Sequence, residues 1–395
     1  MELSVHHLYE VLSRAPAYLN CKFRSVSPEV DFSMELNYCR QQARNMLQRG
    51  DMHVFAFPDV PAPMGMDFYH LFDNGPSPGL PIQFLNLFNS YWRILASWNG
   101  LVLIEFEIVD SKPPKPCICN PVTGYWALLR SPMEDSKNRH ELGMQIVFVP
   151  SDTVGNDYKL ICIAGVEHRW LPPYVIKEFN FVEYDWQVIE GDLNFGLRGL
   201  ELDQVAVVND TLYIMSTTID YSDGEHSVSE DNPPPFIGKY SFGEKKKSTL
   251  PLPIEAAQDP FHGEYGVFKW GSRWTSTESL CLVRNIGPTF TFWTSSLEGA
   301  PGSWVLIQNL NIGQLGILDD LIKGFTVVNG ECLIFATRFA VYGFNVNGDY
   351  PWKFKVLGPN TRKTYVKFIS YSSTFRPINS SIKTTFRNLL ALLTI

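Results

Sequence analysis

The side chains best suited to metal binding or nucleophilic chemistry are eight histidines and seven cysteines in a chain of 395 residues, and their spacing decides what they can do. His6, His7, His53, His70, His140, His168, His226 and His262 are dispersed. The adjacent pair His6-His7 points to different sides of a helix, so no two histidines share a face at ligand spacing. Cys117 and Cys119 fall on one face of a strand, but no second pair completes a zinc site, and they read as core thiols. With Cys21, Cys39, Cys162, Cys281 and Cys332 the total is odd, which fits a reducing compartment better than a disulfide framework. Asp319-Asp320 and Glu230-Asp231 come nearest to an acid/base pair and read as solvated loop charges. No Gly-x-Ser-x-Gly elbow, phosphate-binding Gly-Lys loop or dinucleotide fingerprint occurs. The reading is therefore of no catalytic residues, no metal site and no cofactor, in a chain that binds rather than reacts.

Charge narrows what it binds. There are 33 basic against 41 acidic residues, a formal −8, and the basic ones gather into no arm or stripe, so nucleic acid is not an expected partner. No run approaches the ~20 apolar residues of a membrane span, and a membrane is not expected either. The N-terminus, Met-Glu-Leu-Ser-Val-His-His-Leu, lacks the basic start and apolar run of a secretory signal, which makes cytoplasm or nucleus the expected location. An acidic, proline-rich stretch from Asp220 to Pro235 reads as a long exposed loop of the kind that contacts partners.

The elements that must position any site fall into two kinds. Val5, Leu8, Leu12 and Ala15 lie three and four apart, predicting a helix capped by Ser4 and stopped by Pro16; Leu19, Phe23 and Val26 continue at helical spacing. Leu36, Cys39, Ala43 and Leu47 predict a further helix ending at Gly50. Residues 51–84 have connector composition, with prolines at 58, 61, 63, 76, 78 and 81, yet hold a strand-like piece at 53–57. At the other end, 381–395 reads as a tail with a short apolar helical pattern over 386–393.

Beyond residue 85 the signal is short strands. Apolar runs at 101–106, 145–149, 159–164, 204–208, 212–215, 280–283, 325–328 and 332–336 are each bounded by Gly, Pro, Asn or Asp. Asn99-Gly100, Asn209-Asp210 and Asn329-Gly330 precede three of them and accept the positive φ of a tight hairpin. A strand, turn and tryptophan recur at Trp126, Trp186, Trp304 and Trp352, residues read as blade core. A period of roughly 50 to 60 residues with several strands each is that of kelch-like propeller blades. Five units are counted directly, near 90–132, 144–192, 204–253, 265–311 and 324–358. A sixth is assembled from 367–371 with 53–57 or 82–88. The expected fold is mainly β, a kelch-like β-propeller of about six blades over 85–380, preceded by a small all-α module over 1–50.

Two sets of residues carry a family resemblance. Leu8-Tyr9-Glu10-Val11-Leu12-Ser13-Arg14-Ala15-Pro16 followed by Phe23-Arg24-Ser25-Val26-Ser27 resembles an F-box. Ser97-Trp98-Asn99-Gly100-Leu101, then Cys119-Asn120-Pro121-Val122-Thr123-Gly124-Tyr125-Trp126, then Phe368-Ile369-Ser370-Tyr371-Ser372, is similar in kind and order to the kelch-like domain that follows the F-box in plant F-box proteins. That resemblance implies the substrate-recognition subunit of an SCF-type ubiquitin ligase, a non-catalytic receptor. Leu8, Leu12, Pro16, Leu19, Phe23 and Val26 would then face or support a Skp-type adaptor and through it a cullin, while the propeller loops bind an unidentified protein substrate. Two other readings stay open: a propeller binding module whose F-box has decayed, and a kelch-type propeller enzyme.

Overall fold

A computed structural model describes residues 5–17, 19–21, 36–49, 53–58, 67–70, 92–106, 115–133, 143–153, 156–166, 172–196, 198–216, 234–258, 263–271, 278–295, 303–317, 321–346, 352–356, 365–374, 376, 378 and 384–385. Two helices come first, α1 (Val5–Ser13) and α2 (Leu36–Arg49). Strands follow as β1 (His53–Pro58), β2 (Asp67–His70), β3 (Trp92–Trp98), β4 (Leu101–Phe106), β5 (Lys115–Asn120), β6 (Tyr125–Leu128), β7 (Met144–Thr153), β8 (Asn156–Gly165), β9 (Tyr174–Asn180), β10 (Asp185–Leu193), β11 (Leu200–Val208), β12 (Thr211–Ser216), β13 (Phe236–Ser241) and β14 (Lys246–Pro251). After the one-turn helix α3 (Ile254–Ala257) come β15 (Glu264–Trp270), β16 (Ser279–Ile286), β17 (Thr289–Ser295), β18 (Trp304–Asn311), β19 (Ile322–Val328), β20 (Cys332–Thr337), β21 (Ala340–Asn345), β22 (Trp352–Val356), β23 (Val366–Tyr371) and β24 (Thr384–Thr385).

The fold is mainly β, a β-propeller with five blades, each an antiparallel meander of four consecutive strands: β3–β6, β7–β10, β11–β14, β15–β18 and β19–β22. These are the five units counted directly in the sequence. The count of about six is corrected. Residues 53–58 and 366–371 do pair, from His53↔Tyr371 to Pro58↔Val366, but among the described residues the result is a three-stranded sheet ordered β2-β1-β23 rather than a fourfold meander. The alternative closing segment 82–88 and the 386–393 helical pattern lie outside the described residues, as do Phe23, Val26 and the 220–231 acidic stretch.

The contacts divide the chain into two compact bodies. The larger, residues 135–179 and 186–357, holds four blades whose facing sheets enclose three apolar layers. Side chains alternate between them: Leu212 and Ile214 of β12 join the layer shared with β7–β9, while Tyr213 and Met215 join the layer shared with β15–β17. The same division recurs on β16, where Leu280 and Leu282 face one layer and Cys281 and Val283 the next. A strand covered on both faces is apolar at nearly every position, and in β12 only the end residues Thr211 and Ser216 are polar. That is why β12 is buried throughout and why these strands read as unbroken apolar runs. Each fully buried Leu or Ile contributes roughly 1.5–3 kcal/mol.

The other body comprises residues 1–134, 180–185 and 358–395. It contains α1, α2, the blade β3–β6, the three-stranded sheet and β24, which adds a fifth strand to the outer edge of β6 through Thr384↔Trp126 and Thr385↔Tyr125.

Candidate protein-interaction surfaces

The helical unit is held together by a small core and by amides. Leu12, Ala17, Tyr38 and Cys39 are buried together, with Tyr9 and Val122 packed against them. The Tyr9 and Tyr38 rings meet edge to face at 5.0 Å. Asn20 Nδ2 donates to the Leu12 carbonyl at 3.0 Å and to Tyr38 Oη at 2.8 Å. Gln42 Nε2 donates to the Ala15 carbonyl at 2.9 Å, and Asn45 Nδ2 to the Ser13 carbonyl at 3.1 Å. These amides answer the carbonyls that a helix leaves unpaired at its C-terminal end. The spacing of apolar residues anticipated Cys39 and Ala43 on the inner face of α2. It passed over Gln42 and Asn45, because a buried glutamine carries no hydrophobic signature.

Of the anticipated adaptor-facing residues, Leu12 and Pro16 are buried and Leu8 and Leu19 are half-buried. Val11 stands 63% exposed on α1, beside the Glu10–Arg14 ion pair at 2.7 Å. Leu12 and Pro16 are thus interior to the unit, and Val11 with the half-buried Leu8 is apolar surface that α1 leaves open.

The Asn99-Gly100 turn and the Asn120 turn meet one distant segment of the chain. Residues 372–374, 376 and 378 are buried and form a strap on the blade β3–β6. Thr374 Oγ1 donates to the Asn99 carbonyl at 2.7 Å, and Asn120 Nδ2 donates to the carbonyls of Thr374 at 3.0 Å and Arg376 at 2.8 Å. The Arg376 guanidinium lies 4.2 Å from the centre of the Trp98 ring, a cation–π contact in a desolvated setting. Ala17 N donates to the Ser373 carbonyl at 2.9 Å. One strap therefore ties the β3–β4 turn, the β5–β6 turn and the helical unit together. Asn120 also closes its own turn, its Oδ1 accepting the N–H groups of Val122 at 2.9 Å and Thr123 at 3.3 Å.

The groups weighed for chemistry are packed away. Cys117, Cys119, Cys162, Cys281 and Cys332 are buried and in no disulfide, as is Cys39, while Cys21 is exposed. Burial holds the Cys117, Cys119 and Cys281 thiols far above the usual cysteine range, so none is a thiolate nucleophile at neutral pH. Tyr174 is pushed up to about 12 by burial, and its hydroxyl accepts the Leu200 N–H at 2.8 Å, a structural bond between β9 and β11. Among the described residues no three His, Cys, Asp or Glu side chains gather as a metal site, and no described helix is long and apolar enough to cross a membrane. Trp126 is buried in its blade; Trp186 and Trp304 are half-buried, Trp304 Nε1 donating to the Pro251 carbonyl at 2.8 Å. The side chain of Trp352 is outside the described residues.

No protein-family model and no curated protein sequence matches this chain. Among solved structures, the AtxE2 isopeptidase in its apo form is similar at 11% identity and TM-score 0.29, over 68% of this chain and 41% of that one. AofleA from Arthrobotrys oligospora is similar at 10% identity and TM-score 0.35, over 68% and 71%. The GH74 xyloglucanase from Xanthomonas campestris is similar at 9% identity and TM-score 0.39, over 83% and 53%. The chain thus spans about 41% of the isopeptidase.

Proposed function

We propose that this chain is a non-catalytic protein receptor. In this reading the propeller holds a target protein, and the N-terminal helical unit docks on a Skp-type adaptor of an SCF-type ubiquitin ligase. A receptor of this kind accelerates ubiquitylation by raising the effective concentration of its target beside a loaded enzyme. It needs no reacting groups of its own. What supports the reading is the strap. Asn99 and Asn120, which carry part of the resemblance, are bound to Thr374 and Arg376 more than 250 positions further along, directly after the Phe368–Ser372 motif, and Ser373 of the same strap is bound to the helical unit. Such bonding holds an adaptor-docking unit rigid against its blade, as transfer to a bound target requires.

A second reading, a binding module without a ubiquitylation role, is favoured by the burial of Leu12 and Pro16, which leaves a smaller apolar face on α1. Copurification of the full chain with a Skp-type adaptor separates the two. Under the ligase reading the wild type is retained with the adaptor, and Leu8→Asp and Val11→Asp lose that retention while melting as cooperatively as wild type. Leu12→Asp tests folding as much as docking, since it places a charge in the α1–α2 core. Failure of the wild type to bind where an ordinary F-box protein does would leave the second reading.

A further inference from the structure

We infer that the outer edge of β14 is a docking site for an extended acidic peptide segment of another protein, which joins the blade β11–β14 as a fifth strand. The inference deepens the proposed receptor function, resting on the propeller as a protein-binding module and not on adaptor docking.

Fourth strands are where a blade can be extended, and this chain already does so once: β24 lies along the outer edge of β6. In the four-blade body the fourth strands β10, β14, β18 and β22 each pair on one side only among the described residues, and β22, which carries Lys353 and Lys355, slips in register against β21 between Val341 and Tyr342. They differ in regularity and charge. The β18 edge, Trp304 to Asn311, is uncharged and exposes Val305 and Leu306, but its register against β17 slips between Phe292 and Trp293. Such a bulge twists an edge away from further pairing. The β10 edge carries Asp185, Glu190 and Asp192.

The β14 edge is both regular and basic. Its six pairs with β13 run from Phe236↔Pro251 to Ser241↔Lys246 without a slip. Lys246, Lys247, Ser248 and Thr249 are exposed, and Lys245 precedes them in the turn with φ of 50°. No acidic residue lies between Lys245 and Pro253. Successive strand residues point to opposite faces, so Lys246 and Lys247 place positive charge on both sides of the edge. Lys247 meets Asp192, its Nζ donating to the Asp192 carbonyl at 2.6 Å and lying 3.9 Å from its carboxylate, an exposed ion pair that an incoming carboxylate can exchange. Ser248 and Thr249 then leave a neutral, β-forming stretch beside the charges.

Lysines on an edge repel a second copy of the same strand and so guard against self-association. The same charges attract a strand of opposite sign. Main-chain hydrogen bonds give such a complex its affinity, and cross-strand ion pairs choose the partner. The ligand class is therefore an extended segment with consecutive Asp or Glu residues followed by Thr or Val.

The test is fluorescence anisotropy of the full chain with a labelled, capped peptide of about ten residues, one strand's length, built as an acidic run followed by alternating Thr and Val. The expected result is saturable binding that weakens at least about tenfold between ~0.05 and ~0.5 M salt. It should also weaken at least about tenfold in K246E/K247E, with K246Q/K247Q intermediate. A peptide N-methylated at alternate residues keeps its charge but cannot pair, and should lose binding. No saturable binding by wild type, equal binding by K246E/K247E, or equal binding of the N-methylated peptide would each overturn the inference. So would binding that emerges only after the chain's own Asp220, Asp223, Glu225, Glu230 and Asp231 are neutralised, since the occupant would then be internal. Adaptor copurification is run on the same preparations. Peptide failure with adaptor binding intact removes this inference alone, and the converse removes only the ligase reading.

Discussion

Asn99-Gly100 and Asn209-Asp210 are the same device in local sequence and serve different purposes in the fold. Both join consecutive strands in two residues, Trp98↔Leu101 and Val208↔Thr211. Both hold positive φ at each position, 44° and 87° in the first and 47° and 55° in the second. Asn209 and Asp210 sit in the open. Asn99 is 3% exposed, and a Cβ added to Gly100 would lie 2.0 Å from Thr374 Oγ1. The first turn is a buried seat for the strap, whereas the second stays exposed, with Asn209 Nδ2 donating to the Glu278 carbonyl at 3.4 Å and the Asp210 carbonyl accepting the Phe242 N–H at 3.1 Å. Asn329-Gly330 is a third case. It takes Glu331 into the loop, Val328 pairing with Cys332, and a Cβ on Gly330 would meet the Gly271 backbone at 2.5 Å. A tight turn thus tells little about its own importance; what the fold lays across it sets the cost of changing it.

Substitutions at the two turns should break the equivalence by very different amounts. Gly100→Ala combines left-handed strain with a collision against a buried side chain, and should lower stability by about 4 kcal/mol in urea unfolding of the full chain. A loss below about 1 kcal/mol would mean that the strap yields. Asn120→Ala removes the donor to two buried carbonyls and the acceptor that shapes its own turn, at an expected cost of about 3 kcal/mol. Limited proteolysis should then cut first beyond residue 371 if the strap is what loosens. Thr374→Val keeps the shape but loses the bond to the Asn99 carbonyl and the acceptor for the Arg376 N–H. It should cost about 1–2 kcal/mol in a thermal scan, with a changed Trp98 emission as Arg376 shifts. Asp210→Gly should sit at the other end, stabilising by under about 0.5 kcal/mol as measured by the urea midpoint, since glycine accepts that φ without a Cβ penalty. A large loss there would show that the open turn is also a seat.

Much of the blade pattern was legible because it is local. The runs 101–106, 212–215 and 332–336 lie in β4, β12 and β20, and the pairing of 53–57 with 367–371 follows from strand-like pieces near each end. The strap was not legible. Ser372, Ser373 and Thr374 are small polar residues of no periodicity, and their burial depends on turns at 99–100 and 120–124 that the chain delivers from far away. Gln42 and Arg376 escaped for a related reason: each is buried, but only because a carbonyl or an aromatic ring elsewhere receives its donors. The anticipated docking residues show the same limit. Helical spacing placed Leu8 and Leu12 on one side of α1, and packing against Tyr38 and Val122 decided that Leu12 is interior.

The sequence by itself determined the five meanders, their tight turns and the two helices, since each rests on residues within a few positions of one another: short unbroken apolar runs, Asn-Gly and Asn-Asp pairs and a helical stripe. Only the tertiary structure decided which turn is a seat, which sheet stays at three strands among the described residues and which blade edge is regular and basic. Those outcomes depend on contacts between distant segments, and a contact between residues hundreds of positions apart leaves no period in the chain that makes it.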